Sequence, residues 1–353
     1  MRFRAAEDDD RGAWQELLGR VPSGDFLHDW GWAAVAAHDG TPQRRFVLVD
    51  GDTTVALVAA QVRPIAFGRS FWYVPHGPVT DYADPAAAAR MRAVVDGLVG
   101  EARADRAVAL RLEPRIENGA PAVGILDDLT PRVPERLQVG QTRIVDLSDD
   151  DTLLAGFDAD TRYAVRRAAR EGVEVEFITD PGDRSAVERL HELVRATQRR
   201  AGFRLPPLDR YWAAWRALAG AGRACLIEAR RDGTVLACGM LVIEGTQSFY
   251  LFAGSRREAP GEPKHYASYA AQWAMMREAR ARGAVRHDLW GVAPAGTGPD
   301  HPWHGVGLFK KGFGGREVTW AGSWEIVVDP IAYRLRAAVA RLRGRRRTPQ
   351  DVP

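Results

Sequence analysis

The chain has 353 residues, more than one ordinary core is built from, so two domains of similar size are expected. Hydrophobic residues make up 46% and charged ones 27%, which excludes a disordered or fibrous chain. The net charge is only +3, yet residues 330–350 hold seven arginines and no acid, so this end seeks anions.

The chain starts MRFRAAEDDD, acidic where a signal peptide is apolar, and its longest apolar runs, such as residues 54–62, fall short of the roughly 18 residues that span a bilayer. A cytosolic protein is expected. A first set of elements follows: a turn and strand at 50–62 (DGDTTVALVAAQV), an aromatic strand at 70–78 (SFWYVPHGP), an alanine-rich helix over about 85–103 and a strand at 107–114 (AVALRLEP). Roughly 178 residues further on, the order recurs at 231–243 (RDGTVLACGMLVI), 248–255 (SFYLFAGS), a helix over about 266–282 and a strand at 284–292 (AVRHDLWGV). Each copy is turn, strand, strand, helix, strand, with Asp-Gly at the turn. Two similar mixed α/β domains are therefore predicted, 1–147 and 148–320, with the change between 138 and 151, where TPRVPER gives way to QTRIVDLSDDD. A helix over 325–345 is expected to complete the first domain, and 345–353 to be a disordered basic tail. Cys225 and Cys238 fall in apolar strand-like runs and read as reduced core thiols; two cysteines cannot build a disulfide framework.

After the boundary, a helix over 153–171 would carry Arg162, Arg166 and Arg170 at i, i+4 and i+8, beside Arg167, and stop at Gly172. Such a stripe is either a solvated face or a contact for a phosphate-rich partner. The most unusual segment is 301–315 (HPWHGVGLFKKGFGG), where glycines bracket Phe309, Lys310 and Lys311. Only three of the 49 basic residues are lysines, Lys264, Lys310 and Lys311, so those that persist among arginines mark places where a compact ammonium is wanted. A lysine in a glycine-rich loop can meet a phosphate or a developing oxyanion. The segment is not a P-loop, since GxxxxGK[ST] is absent. His301 and His304 have no third metal-type ligand nearby, and a loop without metal is expected there. GPVTD places Asp81 just past the first aromatic strand, either as a site residue or as a turn aspartate bonded to its own backbone. Tyr266, Tyr269 and Asp288 are further candidates of polar or amphipathic type.

Together, YVPHGPVTDYAD, TRYAVRRAAREGVEVEF, YAAQWAMMREARARGAVRHDLWGV and GVGLFKKGFGG, in that order and spacing, resemble the Fem family of tRNA-dependent peptidoglycan aminoacyltransferases, with likeness running from FLHDWGW (26–32) to the helix after DPIAYR. The resemblance implies two acetyltransferase-like (GNAT) domains of mixed sheet and flanking helices. It further implies transfer of a glycine-, alanine- or serine-type residue from aminoacyl-tRNA, as co-substrate and without another cofactor, to a stem-peptide amine of a peptidoglycan precursor, which builds the interpeptide bridge. Lys310 would face the oxyanion or a phosphate, and Asp81 would be a base or amine-orienting group. Tyr73, His76, Tyr266, Tyr269, Phe309 and Lys311 would contact substrate, and Arg162, Arg166 and Arg170 the tRNA. Two departures stand out. Residues 30–38 hold no lysine where relatives that bind a soluble nucleotide precursor carry one, and His76 stands where the PxGP motif often has arginine. Together with the basic C-terminal segment, the missing lysine favours a lipid-linked acceptor over a UDP-linked one, met at the anionic inner leaflet by a monomer. The rival readings are an acyl-CoA acetyltransferase, whose R/Q-x-x-G-x-G/A loop is absent from both copies, a tRNA-dependent enzyme whose acceptor is a small molecule as in antibiotic biosynthesis or a protein N-terminus, and a non-catalytic RNA or membrane binder.

Overall fold

The computed structural model describes residues 1–201, 205–258, 261–294 and 296–342. The expected tail at 345–353 lies outside them. The chain divides into two compact units, Met1–Gly140 with the segment from Thr319 onward, and Gln141–Val318.

The first unit contains β1 (Arg2–Ala5), α1 (Arg11–Arg20), α2 (Trp32–His38), β2 (Gln43–Asp50), β3 (Thr53–Ile65), β4 (Arg69–His76), β5 (Val79–Thr80), α3 (Ala87–Ala104), β6 (Ala107–Pro114), α4 (Ala122–Asp127) and β7 (Arg132–Val133). The second contains β8 (Gln141–Asp146), α5 (Asp150–Gly156), α6 (Ala159–Arg170), β9 (Glu174–Ile178), α7 (Arg184–Ala201), α8 (Leu208–Ala219), β10 (Ala224–Arg231), β11 (Thr234–Glu244), β12 (Gln247–Ser255), α9 (Ala267–Ala281), β13 (Arg286–Gly291), α10 (His304–Gly312) and β14 (Arg316–Thr319). The chain then returns to the first unit with β15 (Ser323–Val327) and α11 (Pro330–Leu342). Strand order is β1-β2-β3-β4-β6-β15-β7 in the first sheet, with β5 on β3, and β14-β8-β13-β12-β11-β10-β9 in the second.

The duplicated pattern in the sequence corresponds to a duplicated substructure. β3 pairs antiparallel with β4, which pairs parallel with β6 across the α3 crossover. β11, β12, α9 and β13 repeat this arrangement. The helix faces follow from spacing: Met91, Val94, Val95, Leu98 and Ala102 of α3 are buried at helical intervals against Trp72, Leu110 and Leu112, each large side chain contributing roughly 1.5–3 kcal/mol. In α9 the inward positions are smaller, Ala267, Ala271, Met275 and Ala279, so this helix beds closely onto Cys225, Ile227 and Leu241. Asp232 and Gly233 both have positive φ (51° and 74°), as a two-residue type I′ hairpin turn requires.

The copies differ in how far their central strands stay together. In the first unit the parallel pairing runs from Ser70 opposite Ala107 to His76 opposite Pro114. In the second it runs only from Gln247 opposite Arg286 to Phe249 opposite Asp288, after which the ladder stops. A register shift in β13 between Asp288 and Gly291, with Trp290 at φ 63°, accompanies that parting.

Three expectations are corrected. The helix expected over 153–171 is two, because the chain turns extended at Phe157 (ψ 154°) and the next amide, Asp158 N, donates to Gly312 O at 2.9 Å. Residues 304–312 are helical, not a loop: the cost of Gly305 and Gly307, roughly 0.5–1 kcal/mol each, is offset by the packing of Phe309 at 5.1 Å from Phe313 and 5.2 Å from Tyr269. The C-terminal helix starts at Pro330 and not at 325, since Ser323–Val327, with Trp324, Ile326 and Val327, pairs with β6 and extends the first sheet.

Candidate functional site

The glycines after Lys311 serve backbone packing. A Cβ on Gly312 would stand 2.2 Å from Thr161 Oγ1, one on Gly314 2.5 Å from Gly156 O, and one on Gly315 2.3 Å from Ile144 O. These three glycines give a tight seat for α10 against α5, α6 and β8. That seat fixes which side of α10 faces inward. Lys310 is buried, 6% exposed, whereas Lys311, one position on, is exposed.

Lys310 forms part of the wall of a cavity of about 620 Å³ inside the second unit. The cavity opens where β12 and β13 separate. Tyr250, Phe252 and Gly254 come from β12, Trp290 and Gly291 from β13, and Ala271 and Met275 from α9, with Phe309 beside Lys310 and His301 and His304 at the α10 end. This volume suits a ligand of nucleoside-plus-residue size, and most of the wall is apolar. The Lys310 ammonium donates to Gly291 O at 2.6 Å and stands 5.9 Å from the centre of the Tyr250 ring. Burial pushes this amine from its ordinary 10.5 down to about 7, against the upward pull of the Asp288 carboxylate. Asp288 is itself buried, accepts from the Thr142 hydroxyl and from Trp290 N at 2.8 Å, and so pins the bulge that delivers Gly291 O to the lysine. Cys238 also lines the cavity, and burial holds its thiol well above the ordinary value, so it stays protonated and is a poor nucleophile. The chemistry this arrangement supports is direct attack on an activated carbonyl, with the buried Lys310 ammonium as a positioned cationic donor.

The other candidates fall in several places. Tyr269 touches Phe309 edge-on at 5.2 Å, Tyr266 stands 6.4 Å from Tyr269, and Tyr163 is 5.9 Å from Tyr266; this row of rings backs the α10 face that bears Phe309. Arg166 and Arg170 are exposed on α6, but Arg162 donates to the carbonyls of Phe157 and, at 3.3 Å, of Ala155, and so serves the α5–α6 break. Arg162 and Arg166 border a shallow depression of about 340 Å³ with Asp151 and Leu154.

Asp81, Tyr73 and His76 belong to the first unit. The Asp81 carboxylate accepts from Ala83 N at 3.0 Å, the turn alternative read from its sequence. Tyr73, expected at substrate, is fully buried and its hydroxyl donates to Glu113, which also accepts from Ser323 Oγ, from Leu137 N at 2.7 Å and from Gln138 N at 3.0 Å. It lies in the core of the first unit. His76, at φ 47°, is buried with its Nδ1 2.8 Å from Asp25, and Arg115 Nε stands 3.7 Å from the same carboxylate. Burial alone would raise the Asp25 carboxyl, but His76 and Arg115 hold it below its ordinary value. His76 also borders a cleft with Arg136 and Trp320 of only about 10 Å³, water-sized at most. Among the described residues no cluster of three metal-type side chains occurs.

Sequence reasoning singled out Asp288 without a role and missed Thr142, its partner 146 residues away. The parting of β12 from β13 likewise leaves no local mark beyond the aromatic Trp290.

Residues 223–341 match the model of the FemAB family. The chain is similar to the UDP-N-acetylmuramoylpentapeptide-lysine N(6)-alanyltransferase of Weissella viridescens, 24% identical over 339 residues that cover 91% of this chain and 94% of that one. It is likewise similar to the lipid II:glycine glycyltransferase of Staphylococcus aureus strain USA300, 23% identical over 395 aligned positions, covering 89% and 90%. The crystal structure of FemX superposes with a TM-score of 0.84 at 20% identity, covering 95% of this chain and 99% of that one. The fold is the mixed α/β, tandem GNAT-like one expected from the sequence.

Proposed function

We propose, from the match of residues 223–341 to the FemAB family model, that this protein is an aminoacyltransferase that moves an amino acid from aminoacyl-tRNA to a stem-peptide amine of a peptidoglycan precursor. The observation that carries the proposal is Lys310, a buried amine brought down to about 7 in the wall of an apolar cavity of about 620 Å³.

The aminoacyl ester enters activated, so the protein has to hold it against a neutral amine and stabilise the charge that develops. The acceptor nitrogen attacks the ester carbonyl, forming the C–N bond; Lys310 donates to the carbonyl oxygen as it becomes an oxyanion. Collapse breaks the C–O bond to the terminal ribose, and the proton lost by nitrogen passes to the departing ribose oxygen. Asp81, engaged with its own turn, is given no part in that transfer. Phe309 and the Tyr266–Tyr269 row present an aromatic wall to the peptide, and exposed Lys311, Arg166 and Arg170 meet tRNA phosphates. Replacing Arg166 and Arg170 with glutamine should reduce the magnitude of the salt slope of tRNA binding by about 2, from roughly 0.9 per phosphate contact; an unchanged slope would remove the stripe from the tRNA path.

The transferred residue is of glycine, alanine or serine type, and the enzyme acts as a monomer at the inner face of the membrane. No helix among the described residues is long and apolar enough to cross a membrane, so contact would be peripheral. Residues 30–38 lack lysine and seven arginines follow residue 330, which favours a lipid-linked acceptor over a UDP-linked one. The test supplies one charged tRNA and two acceptors with the same stem peptide, one on undecaprenyl diphosphate in detergent and one on the nucleotide. Higher kcat/KM on the lipid form is expected, and higher kcat/KM on the nucleotide form contradicts the assignment of acceptor.

A further inference from the structure

Three large apolar side chains are the most exposed among the described residues of the first unit. Phe67 is 93% exposed, Ile331 75% and Leu335 63%. Phe67 sits at the tip between β3 and β4 with φ 64°, a backbone conformation costly for a bulky residue, and Gly68 follows at φ 63°. An aromatic held outward by a tight left-handed turn gains nothing from the core. Ile331 and Leu335 are one helical turn apart on α11, with Arg334, also exposed, between them.

One ion pair brings these features to the same end of the sheet. Asp329 caps the start of α11, accepting from Ile331 N and Ala332 N at 3.0 Å each, and its other oxygen takes Arg69 Nη1 at 2.6 Å. Arg69 opens β4, two residues after Phe67, and Arg336 lies over the Phe71 ring at 4.7 Å. The nearby acid is therefore already paired. Beyond Arg334 and Arg336 the sequence supplies Arg341, Arg343, Arg345, Arg346 and Arg347 and no acid before Asp351.

We propose that the β3–β4 tip and the exposed face of α11 form a membrane-docking surface for anionic phospholipid, with Phe67, Ile331 and Leu335 entering the headgroup–acyl boundary and Arg334 held against lipid phosphates. Exposed apolar side chains with an arginine beside them are what an interfacial anchor needs, and an amphipathic face with basic flanks binds more tightly as the surface becomes more anionic. RNA offers the same phosphates but no hydrocarbon for an isoleucine and a leucine. A second copy of the chain is disfavoured because three side chains fall well short of the roughly 800 Å² per partner of a stable protein interface. The inference rests on the membrane placement proposed above and names the surface that makes it; binding is measured without either substrate, so its failure is distinguishable from failure of the transfer reaction.

The full chain is floated with phosphatidylcholine vesicles with and without phosphatidylglycerol. Binding to the anionic vesicles is expected, with at least tenfold weaker partition for Phe67→Ser/Ile331→Ser/Leu335→Ser and unchanged far-UV circular dichroism. As a second reading, Phe67→Cys carrying an environment-sensitive fluorophore should brighten on anionic vesicles; Cys225 and Cys238 are buried with thiols pushed up, so labelling goes to the tip. The proposal is overturned if vesicles of both kinds bind alike or not at all, if the triple variant binds as well as wild type, if the fluorophore does not respond, or if the wild type is a dimer that the triple variant dissolves.

Discussion

Lys310→Met should reduce transfer from aminoacyl-tRNA by about 10²–10³ while leaving the protein folded. Losing a single preorganised donor to a developing oxyanion costs roughly 3–4 kcal/mol of barrier, and methionine matches the stem of lysine without its charge. The effect belongs in kcat, because the interaction is made with the transition state more than with bound ester. Lys311, exposed on the far side of the same helix, should change tRNA affinity and not kcat. The same substitution carries a stability signature of opposite sign. The folded-state pKa of Lys310 is depressed from 10.5 to about 7, so below pH 7 the folded protein holds a buried charge and bears the full cost. As pH rises from about 7 towards 10.5 the folded form loses that proton before the unfolded form does, and wild type gains stability relative to Lys310→Met. The variant's advantage, roughly 1–3 kcal/mol after the lost bond to Gly291 O, is thus largest below pH 7 and shrinks above it. Thermal melts at pH 6 and pH 9 read this directly; a variant less stable than wild type at pH 6 would contradict the buried-ammonium account.

Asp288→Asn should cost about tenfold in kcat at pH 7 and move the alkaline limb of the pH profile to lower pH. The Asp288 carboxylate is the group that pulls the Lys310 amine upward. Asparagine keeps an oxygen for Thr142 and for Trp290 N, so the bulge persists, but without the negative charge the lysine falls below 7 and is charged in a smaller fraction of molecules at neutral pH. A purely structural role would lower stability and leave the limb where it was. The pH–rate profile under saturating donor separates the two.

Much of the architecture was legible because it repeats. The strand, strand, helix, strand pattern recurs with the same turn chemistry, and each copy folds with the same pairing of β3, β4 and β6 or of β11, β12 and β13. Lys310 stood out through the scarcity of lysine, a compositional signal needing no structure. What composition cannot carry is long-range geometry. Thr142 and Asp288 meet across a sheet, β12 and β13 part through a bulge, and α10 is helical because Phe309 and Phe313 reward it against its glycines. The partners of Asp81 and Tyr73, Ala83 N and Glu113, are likewise set by the fold.

The central claim is that the second unit's cavity receives an aminoacyl group carried by tRNA and not an acyl group carried by a thioester. The direct measurement incubates the enzyme with a peptidoglycan precursor and a tRNA pool charged with labelled amino acids, alongside the same precursor with labelled acetyl-CoA. The account predicts label on the stem peptide from charged tRNA, lost on prior ribonuclease treatment of the donor and in Lys310→Met, with no label from the thioester. Transfer from acetyl-CoA, with none from any charged tRNA, would contradict it.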